Sequence, residues 1–135
     1  MKSVIKDVLF GVLIVIVITI LEFLVTIPFG LPAEGISREE WAAFISRELL
    51  ITAVPAFLTT FVFALLLKTK SKADAIQRAV FWTSILCINY IVIGLGNDNL
   101  SLIFGTIGIY VLLICTFAGP MAYMYLPFRK NQKES

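Results

Sequence analysis

The chain has 135 residues, of which 59% are hydrophobic and 15% charged, with a net charge of +2 and a mean hydropathy of +0.96. Soluble domains average about 25% charged residues and bury about two-thirds of their unfolded surface at this size, so this much apolar surface cannot be hidden from water. That excludes a soluble enzyme, a disordered tail and a nucleic-acid-binding module, and leaves an integral membrane protein in contact with membrane lipids.

A membrane-crossing helix needs about 20 mostly apolar residues. Four runs meet that need in chain order. Residues 8–29 come first, with Glu22 as their one charge, and residues 49–67 follow with none. The third run covers residues 79–96 and the fourth residues 100–126. Gly30-Leu31-Pro32 punctuates the end of the first, and the stretch from Gly94 to Asn99 reads as a turn between the last two. The expected fold is all-α: one domain over residues 1–135, with four transmembrane helices in a bundle.

Charge sets the expected orientation. Lys2, Lys6, Lys68, Lys70, Lys72, Arg78, Arg129, Lys130 and Lys133 fall on one side of these spans, against Arg38 and Arg47 on the other. Basic residues favour the cytoplasmic side, which places both termini there, in a plasma (inner) membrane. This basic rim suits anionic lipid headgroups in a generic way. The first apolar run is longer than a signal-peptide core and no small-x-small cleavage site follows it, so it reads as a retained span. Neither a CaaX box nor a glycine after Met1 suggests lipidation.

Before the second span, Ser37-Arg38-Glu39-Glu40-Trp41 has the form of a helix start. Ser37 can cap, Glu40 completes the capping box, and the acidic turn suits the helix dipole. Trp41, Phe44, Ile45 and Leu49 share a face, so residues 37–48 form a short amphipathic outer helix that leads into the span or extends it. Trp41 then lies at headgroup depth, where it anchors the second helix. A lid or docking surface is the alternative.

Polar residues within the spans carry the functional reading. Glu22 lies about 10 Å below the outer end of its helix, where a carboxyl is costly unless it faces protein, meets a partner or holds a proton. Thr19, Glu22 and Thr26 share one face, and Glu48, Thr52, Pro55 and Thr59 form a matching stripe. A third stripe comprises Thr83, Cys87, Tyr90 and Gly94, with Asn89 on an adjoining face. Side-chain direction argues against pairing Glu22 with Arg47, because Cβ bonds tilt toward each helix's own amino terminus. Asn89 is the first candidate partner for Glu22 and Tyr90 the second. In the fourth span, Ser101, Gly105, Gly108, Leu112, Cys115 and Gly119 make a small-residue seam suited to close helix packing. Ordinary back-bonding of Thr and Ser to their own helices is the bland reading of the hydroxyls. Pro55 and Pro120 each remove a helical hydrogen bond, giving a kink or a hinge.

Several chemistries lack their residues. The chain has no histidine, which removes His-dependent triads and zinc sites of the zincin type. Cys87 and Cys115 differ in depth by about 9 Å, too far for a disulfide without a register shift, and read as small fillers. No phosphate-binding glycine loop or metal-ligand spacing is visible, and Asn99 of the Asn99-Leu100-Ser101 sequon reads as a helix cap. The outer acids Glu34, Glu39, Glu40, Glu48 and Asp98 have no diagnostic cation-binding spacing. Neither catalysis nor a cofactor or metal is expected. The expected function is a transport-type bundle, oligomeric, in which Glu22, Thr19, Thr26, Asn89, Tyr90 and Thr52 handle an ion or small solute. The alternative is a non-catalytic accessory, assembly or regulatory subunit that docks on a partner membrane subunit through the seam.

Overall fold

In the computed structural model, residues 2–29 and 34–125 are described, and every regular element among them is helical. Helix α1 spans Lys2–Thr26 and tightens into a 3-10 turn over Ile27–Phe29, where Pro28 lacks the N–H for the next helical rung. It is followed by α2 (Arg38–Leu66), α3 (Lys72–Gly96), α4 (Leu100–Phe104) and α5 (Ile107–Met124). Four of these, α1, α2, α3 and α5, are long and apolar enough to cross a membrane. Gly30-Leu31-Pro32, Leu126 and the basic residues Arg129, Lys130 and Lys133 lie outside the described residues.

The sequence writes the helix ends locally. Ser37 Oγ accepts from the Glu40 N–H at 3.2 Å, and Ser71 Oγ from the Asp74 N–H at 3.1 Å, so each caps an otherwise unpaired donor. Residues 37–48 are no separate element: the chain runs from Arg38 straight into the second span, so the amphipathic segment extends α2. At the other ends, α2 and α3 close in the same way. Lys68 (φ 52) and Asp98 (φ 56) adopt left-handed backbone. The next residues then reach back, Thr69 N–H to Ala64 O and Asn99 N–H to Gly94 O. This is the Schellman closure, with a charged residue where glycine is usual.

The fourth span is interrupted. Where the sequence suggests one helix over residues 100–126, the structure breaks at Gly105-Thr106 between α4 and α5. Thr106 turns to extended backbone (φ −104, ψ 156). The exposed polar groups find side chains: Tyr110 Oη donates to Phe104 O at 2.7 Å, and the Gly108 N–H donates to Ser46 Oγ at 3.2 Å. Such substitutes satisfy backbone groups that the break leaves without helical partners.

The spanning helices form a ring in which α2 packs on α5, α5 on α3, α3 on α1 and α1 on α2, while α2 and α3 sit diagonally. Antiparallel succession makes α1 and α3 parallel, as do α2 and α5. The α2–α5 contact is the most extensive, and glycine makes it so. A Cβ on Gly108 would stand 2.5 Å from Ser46 O, and one on Gly119 would collide with Thr60 Oγ1 and come within 2.8 Å of Phe61 N. The buried alanines Ala53, Ala56 and Ala64 thin α2 further. Ile14, Ile18, Trp82, Leu86, Ile109 and Leu112 fill the core, while Leu9, Ile20, Leu24, Val54, Leu58, Val92 and Ile114 face outward, an apolar surface of the kind that suits lipid.

Candidate functional site

Two polar stations lie along the parallel α1–α3 pair. The first is a cavity of about 570 Å³ at the end of the bundle that carries the α3–α4 turn. Glu22 and Tyr90 meet in its wall: Tyr90 Oη donates to Glu22 Oε2 at 3.0 Å. They meet because α1 and α3 run in the same direction in register. Glu22 and Tyr90 are 68 residues apart, close to the separation of 71 for the pair Asp7 and Arg78 near the opposite end.

Thr19, Glu22, Phe23, Thr26 and Ile27 supply the α1 side of the cavity, and Phe44, Ile45, Glu48 and Leu49 the α2 side. Tyr90, Ile93, Asn99 and Ile103 complete it. The threonines serve their own helix. Thr19 Oγ1 donates to Val15 O at 2.8 Å and Thr26 Oγ1 to Glu22 O at 2.6 Å, leaving their oxygen lone pairs as acceptors. Thr52 is fully buried, donates to Glu48 O at 2.7 Å and does not line the cavity. Asn89 does not line it either; Tyr90, one residue on, is the group that reaches Glu22. Two lining groups stand outside the set expected around Glu22. Glu48 brings a second carboxyl into the same space, and Asn99, read from sequence as a helix cap, has a buried Oδ1 without a hydrogen-bond partner and makes no side-chain cap bond.

The seam residues have separate places. Gly108 and Gly119 are covered by α2 of the same chain, Ser101 Oγ accepts from Arg38 at 2.6 Å, and Gly105 stands at the α4–α5 break. Cys115 is half-buried, and both cysteines are free thiols. Among the described residues, no group of three His, Cys, Asp or Glu side chains is placed to hold a metal ion.

The second station sits near the starts of α1 and α3. Arg78 Nε donates to Asp7 Oδ1 at 3.0 Å, and Gln77 Nε2 donates to Asp7 Oδ2 at 2.8 Å. Arg78 also donates to Thr69 Oγ1 at 2.7 Å, Thr69 Oγ1 donates to Ala64 O at 2.9 Å, and Trp82 Nε1 donates to Asp7 O. Asp7 is 2% exposed and Arg78 7%. Sequence reading counts Arg78 only as part of the basic rim and passes over Asp7, which lies one residue before the first apolar run. The signal that finds them is relational: an acid and a base at the same register of two parallel helices.

No family model matches this chain, and neither a curated protein nor a solved structure matches it. The geometry alone therefore carries the functional reading. It offers a roomy, largely apolar cavity with two carboxyls and a phenol at one end, and a buried, hydrogen-bonded ion pair at the other.

Proposed function

We propose that this protein is a transport-type membrane bundle that takes an ion or small solute into the Glu22 cavity from the outer side. The observation that supports it is the coincidence of the Glu22–Tyr90 pair with a cavity of about 570 Å³, within the range of about 300–1,000 Å³ typical of small-molecule sites. A carboxyl kept for architecture alone needs a partner, not a cavity. Intramembrane acids that face a cavity mark solute or ion pathways. The excess of basic residues at the opposite end makes that end cytoplasmic, which turns the cavity mouth away from the cytoplasm. The accessory-subunit alternative leans on the glycine seam, and α2 of the same chain already covers Gly108 and Gly119.

The test is flux through purified protein in vesicles loaded with a pH-sensitive dye, challenged in turn with proton, sodium and small-amine gradients. Wild-type protein is expected to dissipate at least one gradient, and Glu22→Gln to slow that step about tenfold or more, as loss of an essential charged contact does. Helix content measured by circular dichroism checks that the variant is folded. Absence of protein-dependent flux for every gradient, or equal flux in folded Glu22→Gln at all pH values, overturns the proposal.

A further inference from the structure

We infer that the cavity selects a hydrophobic amine in its ammonium form: one positive charge, with N–H donors, on an apolar body. This rests on reading the cavity as a small-solute site and names what that site prefers. Three observations lead there independently of one another.

The first is charge. Glu22 and Glu48 line one space, and no Lys or Arg is among the described residues that line it. Arg47, which lies over the ring of Phe44 and beside Glu48, answers part of that charge from outside the lining, and the repulsion that remains between the two acids favours an occupant that brings positive charge. An anion meets the opposite situation. The second is hydrogen bonding. Tyr90 occupies one Glu22 oxygen, and Thr19 and Thr26 have spent their protons on backbone carbonyls. The lining therefore offers mostly acceptors and asks its occupant for N–H groups.

The third is shape and wall chemistry. A volume of about 570 Å³ is far larger than a bare ion fills, since a water molecule takes about 30 Å³. Phe23 and Tyr90 contribute aromatic rings, Phe44 a ring that already carries the Arg47 guanidinium, and Ile45, Leu49, Ile93 and Ile103 aliphatic surface. Aromatic faces attract ammonium groups, and the aliphatic remainder holds a hydrocarbon body. A neutral lipid chain would fill the apolar part and leave the carboxyls of Glu22 and Glu48 unanswered. A metal ion would answer the charge and leave the rest of the volume empty.

A matched series of probes separates these terms: phenylbutylammonium, phenylbutanol and phenylbutanoate share one hydrophobic body and differ in charge. Equilibrium binding is measured to the full chain in zwitterionic nanodiscs, with empty discs subtracted. The ammonium is expected to bind about tenfold or more tighter than the alcohol, the anion weakest, on the scale of a charge-assisted hydrogen bond. Glu48→Gln and Glu22→Gln are each expected to remove most of that preference while leaving alcohol binding in place. Glu39→Gln, an exposed acid in the first turn of α2 that does not line the cavity, is expected to change nothing. Ile103→Trp, which fills the cavity, is expected to abolish binding of all three, with circular dichroism confirming its fold. Equal binding of the alcohol and the ammonium, lost in Ile103→Trp, overturns the amine inference and leaves the small-solute site standing. Loss of the preference in Glu39→Gln overturns it too, by assigning the effect to surface charge. Absence of protein-dependent binding for all three probes overturns both the inference and the function proposed above.

Discussion

Asp7 and Arg78 show what a buried charge requires. Asp7 uses both carboxylate oxygens, on Arg78 Nε and Gln77 Nε2, and Arg78 reaches Thr69 as well. Desolvating two ions costs several kcal/mol each, and attraction plus complete hydrogen bonding offsets that cost only while both partners are present. Asp7→Asn and Arg78→Gln are therefore each expected to destabilise the fold by about 3 kcal/mol, because each strands the opposite charge. The double variant Asp7→Asn with Arg78→Gln is expected to cost less than the sum of the singles. Unfolding in mixed micelles measures all of them, and strictly additive losses would show that the two residues are not energetically coupled. The Glu22–Tyr90 contact follows a smaller scale. Hydrogen bonds between membrane helices are worth about 0.6 kcal/mol on average, so Tyr90→Phe should cost roughly 1 kcal/mol or less in the same measurement.

At the scale of elements, helix ends and helix contacts obey opposite demands on side-chain size. Lys68 and Asp98 stand in left-handed backbone at the ends of α2 and α3, a conformation that costs an L residue about 1–2 kcal/mol and glycine almost nothing. Lys68→Gly and Asp98→Gly are each expected to stabilise by about 1 kcal/mol, read as a higher midpoint in the same unfolding assay. Along α2–α5 the sign reverses. Gly108→Ala and Gly119→Ala add a methyl where Ser46 O and Phe61 N already stand within 2.5 and 2.8 Å of the new Cβ, and overpacking of this kind costs about 1–3 kcal/mol. Equal stability of Gly119→Ala and wild type would mean that α2 and α5 can separate without loss. These elements also mark how far sequence reaches. Length and hydropathy place four spans because lipid enforces both, and Ser37 announces the start of α2 because capping is local. The break at Gly105-Thr106 is not legible in the same way. Its glycine belongs equally to a packing seam, and its stability depends on Tyr110 and Ser46, groups that converge only in the folded chain.

On the scale of the whole molecule, the two polar stations divide the α1–α3 interface between them. Glu22 is legible in the sequence because a lone carboxyl in an apolar run violates the local pattern. Choosing Tyr90 over Asn89 needs the rotation of α3 about its axis, which changes by about 100° per residue and which depth alone does not supply. Asp7 and Arg78 need more still, the knowledge that α1 and α3 are parallel neighbours. Between the stations, Ile14, Ile18, Trp82 and Leu86 close the interface with nearly complete burial. A solute in the Glu22 cavity therefore meets an apolar layer and then the Asp7–Arg78 clamp before the basic end. On the transport reading proposed above, passage would require α1 to part from α3 at that end and so to break the bonds of Asp7. A cysteine at Ile14, in a chain with Cys87 and Cys115 replaced by alanine, reports this opening. With Asp7 intact in that background, a membrane-impermeant thiol reagent supplied from the basic side is expected to label it slowly, because Ile14 is fully buried. Asp7→Asn, which removes the charge that holds Arg78, is expected to raise that labelling rate several-fold while labelling from the opposite side stays the same. A rate unchanged by Asp7→Asn would show that the clamp holds the fold without controlling access from the basic end.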